Sequence, residues 1–291
     1  MIMPQFTYSA PEKLDDAIML LKEHKGSRPL AGGQSLLVDL KWEKTSVDML
    51  VDLQHIPDLG GIRSKEDGLH IGALTTFTEL AASEGVRKYC TALAEAAESV
   101  GDLQTRNLST LGGSLATNDP SGDLAAAVLV LGAVIQAAGP GGSRSISAGD
   151  FFVGPYKTAL APSEVITSIF FPASEVGDNQ SSAYEKFKNP ANGFAVCGVA
   201  ACITQKKGGY DYKLAVTGAL EYACLLPQVR GTQANKAATS ENIIEAVSRL
   251  EFPLAARQDL YASGEYRMQL AKVLATRALR RAAERINLEK N

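Results

Sequence analysis

A two-domain α+β chain is what this sequence predicts, and three observations predict it. Its 291 residues are about twice the roughly 150 that one domain takes. Hydrophobic residues make up 45% and charged residues 21%, the balance of a chain that can bury a sizeable core. Strand and helix signals are mixed at first, then give way to a three-strand meander with trailing helices, so two α+β units follow.

Along the chain, residues Pro11–Lys25 read as an amphipathic helix: Leu14, Ala17, Ile18 and Leu21 recur at helical spacing, and Pro11 suits a first turn. A strand over Arg28–Ala31 runs into Gly32-Gly33-Gln34-Ser35, after which Leu36–Trp42 opens a short helix. Strands are expected at Met49–Leu53 and Leu69–Leu74, with turns at Asp58–Gly61 and Asp67-Gly68. Helices are expected at Thr76–Ser83 and Thr91–Val100. Gln104–Asp123 is polar, contains glycine and shows no periodicity. Leu124–Ala138 turns from helix to strand near Gly132, and a turn at Gly139–Ser143 precedes an extended segment ending near Ala148. Val165–Phe171 reads as a buried strand closed by Pro172. Polar residues 173–182 mark a domain boundary. Strands then follow at Ala183–Lys188, Phe194–Thr204 and Tyr210–Ala219, the last two joined by a turn at Gly208-Gly209. The chain closes with a helix over Glu241–Leu250, capped by Ser240, and a long one from about Glu265 to Arg285. Its basic residues Lys272, Arg277, Arg280, Arg281 and Arg285 form either a solvated face or a partner contact.

Several function classes are excluded. A formal net charge of −3 disfavours nucleic acid, since neutralising phosphates needs a basic surface. The longest apolar run, Leu124–Leu131, falls well short of the roughly 20 residues of a membrane span. Met1–Gln5 carries no basic region leading into an apolar core, so no secretion signal is expected. Four sparse cysteines without a CxxC fit reduced thiols in a cytoplasm. Neither GxxxxGK[ST] nor GxGxxG occurs, which disfavours P-loop and Rossmann sites. Gly112-Gly113-Ser114-Leu115-Ala116 ends in alanine where a nucleophile elbow has glycine, and all three histidines lie upstream of it. Cys197 and Cys202 sit at odd spacing, on opposite faces of a strand, and no histidine has a partner at ligand spacing; no metal site is expected.

Glycine is the unusual entry in the composition: 26 of 291 residues, about 9% against about 7% on average. It clusters as Gly32-Gly33, Gly60-Gly61, Gly112-Gly113, Gly141-Gly142 and Gly208-Gly209. Such pairs are either turns or places where backbone approaches a ligand. Two lie in loops that could cradle phosphate. Leu30-Ala31-Gly32-Gly33-Gln34-Ser35-Leu36-Leu37 runs from a strand into a helix. Thr110-Leu111-Gly112-Gly113-Ser114 has Asn118, Asp119, Pro120 and Asp123 downstream. Consecutive N–H groups converging on an anion would serve such a ligand without lysine or arginine.

Ala31–Leu37, Gln104-Thr105-Arg106-Asn107, Thr110–Ala116 and Asp119-Pro120-x-x-Asp123, in this order, strongly resemble the FAD-binding (medium) subunit of molybdenum hydroxylases. That family includes aerobic carbon monoxide dehydrogenase and xanthine dehydrogenase. Tyr184-Glu185-Lys186-Phe187, Phe194-Ala195 and Ser263-Gly264-Glu265-Tyr266-Arg267 resemble its C-terminal signatures, so the resemblance spans the chain. It implies a FAD-binding domain of vanillyl-alcohol-oxidase (PCMH) type with two α/β subdomains. A C-terminal domain of three-stranded antiparallel sheet plus helical bundle would follow. The divisions would fall at residues 1–175, with subdomains about 1–57 and 58–175, and at 176–291.

The same resemblance implies that FAD contacts Leu30, Ala31, Gly32, Gly33, Gln34, Ser35, Leu36, Leu37, Gln104, Thr110, Leu111, Gly112, Gly113, Ser114 and Asp123. By position, Ile166 matches an apolar flavin contact and Lys186 a basic one. No histidine stands in these motifs, so the FAD is expected to be dissociable. Thr105 stands where the family often has valine or isoleucine, and Asn189-Pro190-Ala191-Asn192 departs from a more basic stretch. The implied role is an electron-transfer subunit that accepts electrons from [2Fe–2S] clusters and hands them to an external acceptor. The implied partners are a large molybdenum-cofactor subunit and a small subunit with two [2Fe–2S] clusters, assembled as a dimer of heterotrimers in the cytoplasm. Two alternatives stay open: a free-standing FAD-dependent oxidoreductase with its own substrate, or a scaffold that has lost FAD.

Overall fold

The computed structural model describes residues 4–207, 209–227 and 238–288. Its first unit is a small parallel α/β layer made of β1 (Thr7–Ser9), α1 (Leu14–Glu23), β2 (Ser27–Leu30), α2 (Leu36–Lys41) and β3 (Met49–Asp52). The strand order is β1-β3-β2, and both pairings are parallel. Ala17, Ile18 and Leu21 of α1 are buried against Val51 and Leu53, so the expected apolar stripe is the face that packs.

The second unit is built on a five-stranded, fully antiparallel sheet. Chain order introduces β4 (Ile62–Lys65) and β5 (Gly68–Gly72), then α3 (Phe77–Ala82), α4 (Glu84–Tyr89), α5 (Thr91–Glu98), α6 (Leu103–Leu108), α7 (Leu111–Thr117) and α8 (Leu124–Val130). It closes with β6 (Val134–Gly139), β7 (Gly142–Ser147), α9 (Ala148–Phe151), a small hairpin of β8 (Phe152–Gly154) and β9 (Lys157–Thr158), and β10 (Val165–Pro172). The sheet order is β4-β5-β10-β6-β7, so β10 returns to the centre of the sheet between two hairpins.

The third unit holds β11 (Gln180–Lys188), β12 (Ala195–Lys206), β13 (Gly209–Thr217), β14 (Cys224–Leu225), α10 (Ser240–Ser248) and α11 (Gly264–Leu288). β11, β12 and β13 form the expected antiparallel meander, and the two-residue β14 adds an edge. β12 explains how this unit is joined to the one before it. Cys197, Val199, Ala201 and Ile203 face one core, shared with α10 and α11. Ala200 and Cys202 face another, shared with α5 and α8. Period-2 alternation thus makes one strand the common wall of two cores.

Three expectations are corrected. The aperiodic Gln104–Asp123 segment contains α6 and α7, too short to show a 3.6-residue period but each started by a side-chain cap: Asp102 accepts from the Thr105 N–H and Thr110 from the Gly113 N–H. The cap of α10 is Thr239, one residue before Ser240, and it accepts from the Asn242 N–H. β1, β4, β8, β9, β14, α4 and α9 carried no sequence signal strong enough to place them. Gly208 of the expected Gly208-Gly209 turn lies outside the described residues. Cys90, Cys197 and Cys202 are buried, Cys224 is half-buried, and all four are free. Burial pushes the Cys197 thiol up to about 12 and Cys202 up to about 11, so neither is a ready thiolate ligand.

Candidate functional site

The two glycine loops lie side by side. A Cβ on Gly32 would fall 1.8 Å from the Leu108 carbonyl oxygen, and one on Gly113 would fall 3.5 Å from the Ala31 Cβ. Gly32 is therefore required by the close approach of two backbones, and Gly33 by its φ of +71°. Leu30 is buried at the end of β2, Ala31 and the two glycines are half-buried, and Gln34 and Ser35 are exposed. Leu36 and Leu37 open α2 and pack on the Leu40 cluster. Among the described residues, no acceptor takes the backbone N–H groups of Gly32, Gly33, Gln34 or Ser35. Four neighbouring donors without acceptors at the entry of a helix leave positive partial charge open to an anion.

The second loop spends its donors differently. The Leu111 N–H donates to the Thr75 carbonyl (3.0 Å) and the Gly112 N–H to the Ala73 carbonyl (2.8 Å). Gly113 N–H donates to Thr110 Oγ1 (3.2 Å) and Ser114 N–H to the Thr110 carbonyl (3.0 Å). A Cβ on Gly112 would meet the Ala73 Cβ at 2.6 Å. This glycine pair seats α7 on the β5–α3 connection, and its side of the site offers surface rather than free amides. Gln104 stands exposed on the first turn of α6. Its neighbours anchor that helix: Arg106 donates to the Val100 carbonyl (2.8 Å), and Asn107 accepts from Thr78 (2.6 Å).

One helix length away, a second cluster forms. Residues 118–123 follow α7, whose seven residues span roughly 10 Å. Asn118 ends the helix at φ +45° and donates to the Gly154 and Lys157 carbonyls (2.7 and 2.9 Å), tying in the β8–β9 hairpin. The third unit grips the segment as well. Thr217 donates to the Pro120 and Gly122 carbonyls (3.0 and 2.7 Å), and the Gly218 N–H to Pro120 (2.7 Å).

Asp123 ends this segment in full burial. It accepts from the Tyr184 hydroxyl (2.5 Å) and pairs with Lys186 Nζ (2.7 Å), which also donates to the Ser99 carbonyl (3.3 Å). Burial holds the Asp123 carboxyl above the usual range, opposed by the Lys186 ammonium and the Tyr184 hydroxyl. Burial beside that carboxylate also raises the Tyr184 hydroxyl well above its ordinary value. Ile166 is buried on β10 in the same core as Leu111 and Leu115 of α7. The expected residues thus gather into two groups, the loop amides and the Asp123–Lys186 pair, joined by α7.

Sequence reasoning named Tyr184 only as part of a signature and passed over Glu95 entirely. The Glu95 carboxylate accepts from the Tyr184 N–H (2.8 Å), from Arg285 Nη2 (2.5 Å) and from Arg281. Arg281 also donates to Glu185 (2.6 Å). Two of the five basic residues of the last helix are therefore already engaged within the chain while remaining partly exposed; they clamp α11 to α5 and β11. Their acceptors lie 96 to 190 residues away, beyond any local pattern.

Two families match the chain in turn. The one described as "FAD binding domain in molybdopterin dehydrogenase" covers residues 4–174. The one described as "CO dehydrogenase flavoprotein C-terminal domain" covers residues 182–282. The chain is 31% identical to the glyceraldehyde dehydrogenase medium chain of Sulfolobus acidocaldarius over 97% of its own length and 100% of that protein's. It is 32% identical to the carbon monoxide dehydrogenase medium chain of Afipia carboxidovorans over 98% of its length and 99% of that protein's. A crystal structure of the Cu,Mo-CO dehydrogenase in its cyanide-inactivated form superposes with a TM-score of 0.89 at 32% identity, covering 98% of this chain and 100% of that one.

Proposed function

The chain belongs to the FAD-binding medium-subunit family of the molybdenum hydroxylases, and from that premise we propose that it moves electrons from the [2Fe–2S] clusters of a partner subunit to an external acceptor. Its cofactor is FAD, and the family is one of oxidoreductases that work as multi-subunit complexes. The observation that carries the reading is the row of four unclaimed amides from Gly32 to Ser35 at the entry of α2. That row fits a diphosphate, which asks for several N–H donors at once and no particular side chain.

In this reading the Gly32–Ser35 amides hold the diphosphate. Thr110–Ser114, with Leu111 and Gly112 locked into the fold, form the opposing wall. Leu30, Ala31, Leu36, Leu37 and Ile166 shape apolar contacts, Gln104 stands at the exposed edge, and Asp123 and Lys186 present fixed polar atoms near the far end of α7. Bound there, FAD supplies chemistry that passes electrons one or two at a time. The protein's part is orientation and charge. A buried Asp123–Lys186 pair holds its geometry because separating either partner would strand a charge away from water. Tyr184 and Glu95 keep β11 and α5 in register, and with them the Lys186 ammonium.

The flavin domain is assigned to residues 1–175 and the C-terminal domain to 176–291. The partners are a large molybdenum-cofactor subunit and a small iron–sulfur subunit, in a dimer of heterotrimers. Four free cysteines accord with a cytoplasmic complex, and among the described residues no helix is long and apolar enough to cross a membrane. The test is to mix the FAD-loaded chain with reduced small subunit and follow flavin absorbance. Bleaching that depends on the small subunit is expected. A chain that turns over a substrate of its own with no other subunit present would instead establish a free-standing oxidoreductase.

A further inference from the structure

The loop that follows β2 leaves its amides without acceptors, while its carbonyls are all taken from Leu30 to Gly33. The Leu53 N–H donates to the Leu30 carbonyl (2.9 Å) and the Leu37 N–H to that of Gly33 (3.1 Å). Between them, Gln54 Nε2 donates to the Ala31 carbonyl (2.7 Å) and Gln34 Nε2 to that of Gly32 (3.5 Å). Two of these four donors are backbone groups, which any residue but proline supplies. Gln34 belongs to the loop itself, and its bond is longer than the roughly 3.2 Å of a firm one. Of the four, only Gln54 reaches the loop from outside through a side chain.

Gln54 is exposed, yet it is anchored. Its backbone N–H donates to Asp52 Oδ1 (2.9 Å), and Asp52 Oδ2 accepts from the Tyr8 hydroxyl (2.6 Å). Asp52 is 6% exposed, where a carboxylate oxygen without a donor is costly, and both of its oxygens are engaged. This chain of bonds crosses the whole of the first sheet. Tyr8 lies on β1, Asp52 ends β3 and Ala31 follows β2. Its last link is a single peptide, Ala31–Gly32.

That peptide is where the loop most needs a restraint. A trans peptide is planar, with its carbonyl and its N–H on opposite sides. Holding the Ala31 carbonyl on Gln54 therefore turns the Gly32 N–H the other way. Gly32 cannot carry a side chain, since a Cβ would fall 1.8 Å from the Leu108 carbonyl oxygen, and glycine lets such a peptide flip easily. A flipped peptide presents the Ala31 carbonyl where the Gly32 N–H stood, so an anion meets an acceptor in place of a donor. The glycine that close packing requires thus removes the backbone's own restraint, and Gln54 restores it.

We propose that Gln54, anchored by Asp52 and Tyr8, is a positioning residue that holds the Ala31–Gly32 peptide with its N–H toward the FAD diphosphate. Gln54 acts through the loop, because its donor is given to protein. The restraint stands on the bonds above; its use in binding rests on the reading that this loop receives the diphosphate.

Gln54→Met tests it, keeping the length of the side chain and removing the donor. Magnetic-resonance labels at alanine carbonyl carbons and glycine nitrogens single out the chain's Ala–Gly peptides, which are Ala31-Gly32, Ala138-Gly139 and Ala148-Gly149. In the FAD-free full chain, Gln54→Met should move the Ala31-Gly32 signal and leave the other two in place, which a general loss of structure would not do. FAD titration followed by flavin fluorescence should show binding at least about tenfold weaker, or 1.4 kcal/mol, with the urea midpoint unchanged. An unmoved Ala31-Gly32 signal, or parent-like FAD affinity, would overturn the proposal. Should Gln54→Met fail to fold, Tyr8→Phe answers by the same two readings: a moved signal with weaker FAD supports the restraint, and parent-like values overturn it. FAD added to the parent should itself shift the Ala31-Gly32 signal as that N–H gains an acceptor. Binding without this shift overturns the earlier reading, whereas a shift in the parent that Gln54→Met leaves intact overturns this one alone.

Discussion

Gly32-Gly33 and Gly112-Gly113 are neighbours in space and look alike in sequence, yet they use glycine for different ends. At the first pair, backbone passes beneath the Leu108 carbonyl and turns through a positive φ, leaving four amides without acceptors. At the second, the amides of Leu111, Gly112 and Gly113 are all taken by Thr75, Ala73 and Thr110. One loop is kept open and the other is consumed by packing. A Gly-Gly pair therefore signals close approach, and only an account of where each N–H goes shows whether the neighbour is a ligand or the protein itself.

The comparison can be broken in four places, the largest effect first. Asp123→Asn strands the Lys186 ammonium in a buried site and should cost about 3–5 kcal/mol of stability, read by urea unfolding; a cost below about 1 kcal/mol would show that water reaches the pair. Gly112→Ala drives a methyl against Ala73 and should cost roughly 2–3 kcal/mol, while the fraction still folded takes up FAD with near-normal affinity. A stable variant that has lost FAD would place the ligand at the second loop after all. Thr110→Val removes the cap of α7 and should lower stability by about 1 kcal/mol in the same assay, again sparing the cofactor.

The smallest effect concerns the caps of α6 and α7. Hydrogen bonding from the Thr105 N–H holds the exposed Asp102 carboxyl below the usual carboxylate range. What it lends to α6 is therefore complete above about pH 4, the unfolded value, and is lost as pH falls through the lower folded value. The Thr110 cap of α7 does not titrate. Amide exchange at mild acid should accordingly rise in α6 before α7; equal rates in the two helices would contradict this.

Much of the architecture was legible because it rests on local pattern. The stripe of Ala17, Ile18 and Leu21, the strand–loop–helix passage from Leu30 to Leu36 and the meander of residues 183–219 each carry their own periodicity or breaker residues. The site was half legible. The first loop could be read from Gly32-Gly33 between a strand and a helix, and Asp123 and Lys186 from ordered motifs. Their pairing with each other, the Tyr184 hydroxyl and the Glu95 clamp depend on contacts across 61 to 190 residues, where no spacing rule reaches. α6 and α7 escaped because six or seven residues complete fewer than two turns. The two arginines of α11 looked like surface charge because nothing local distinguishes a solvated arginine from one that reaches across a domain joint.

The central claim is that the first loop, through its free amides, holds the FAD diphosphate. Gly33→Asp tests it most directly, because it places a negative charge beside those amides while leaving the packed second loop untouched. FAD titrated into the apo chain should bind one to one in the parent, and at least about 100-fold more weakly, roughly 3 kcal/mol, in the variant, with the circular dichroism of the fold preserved. Stoichiometric, tightly held flavin in Gly33→Asp would contradict the account.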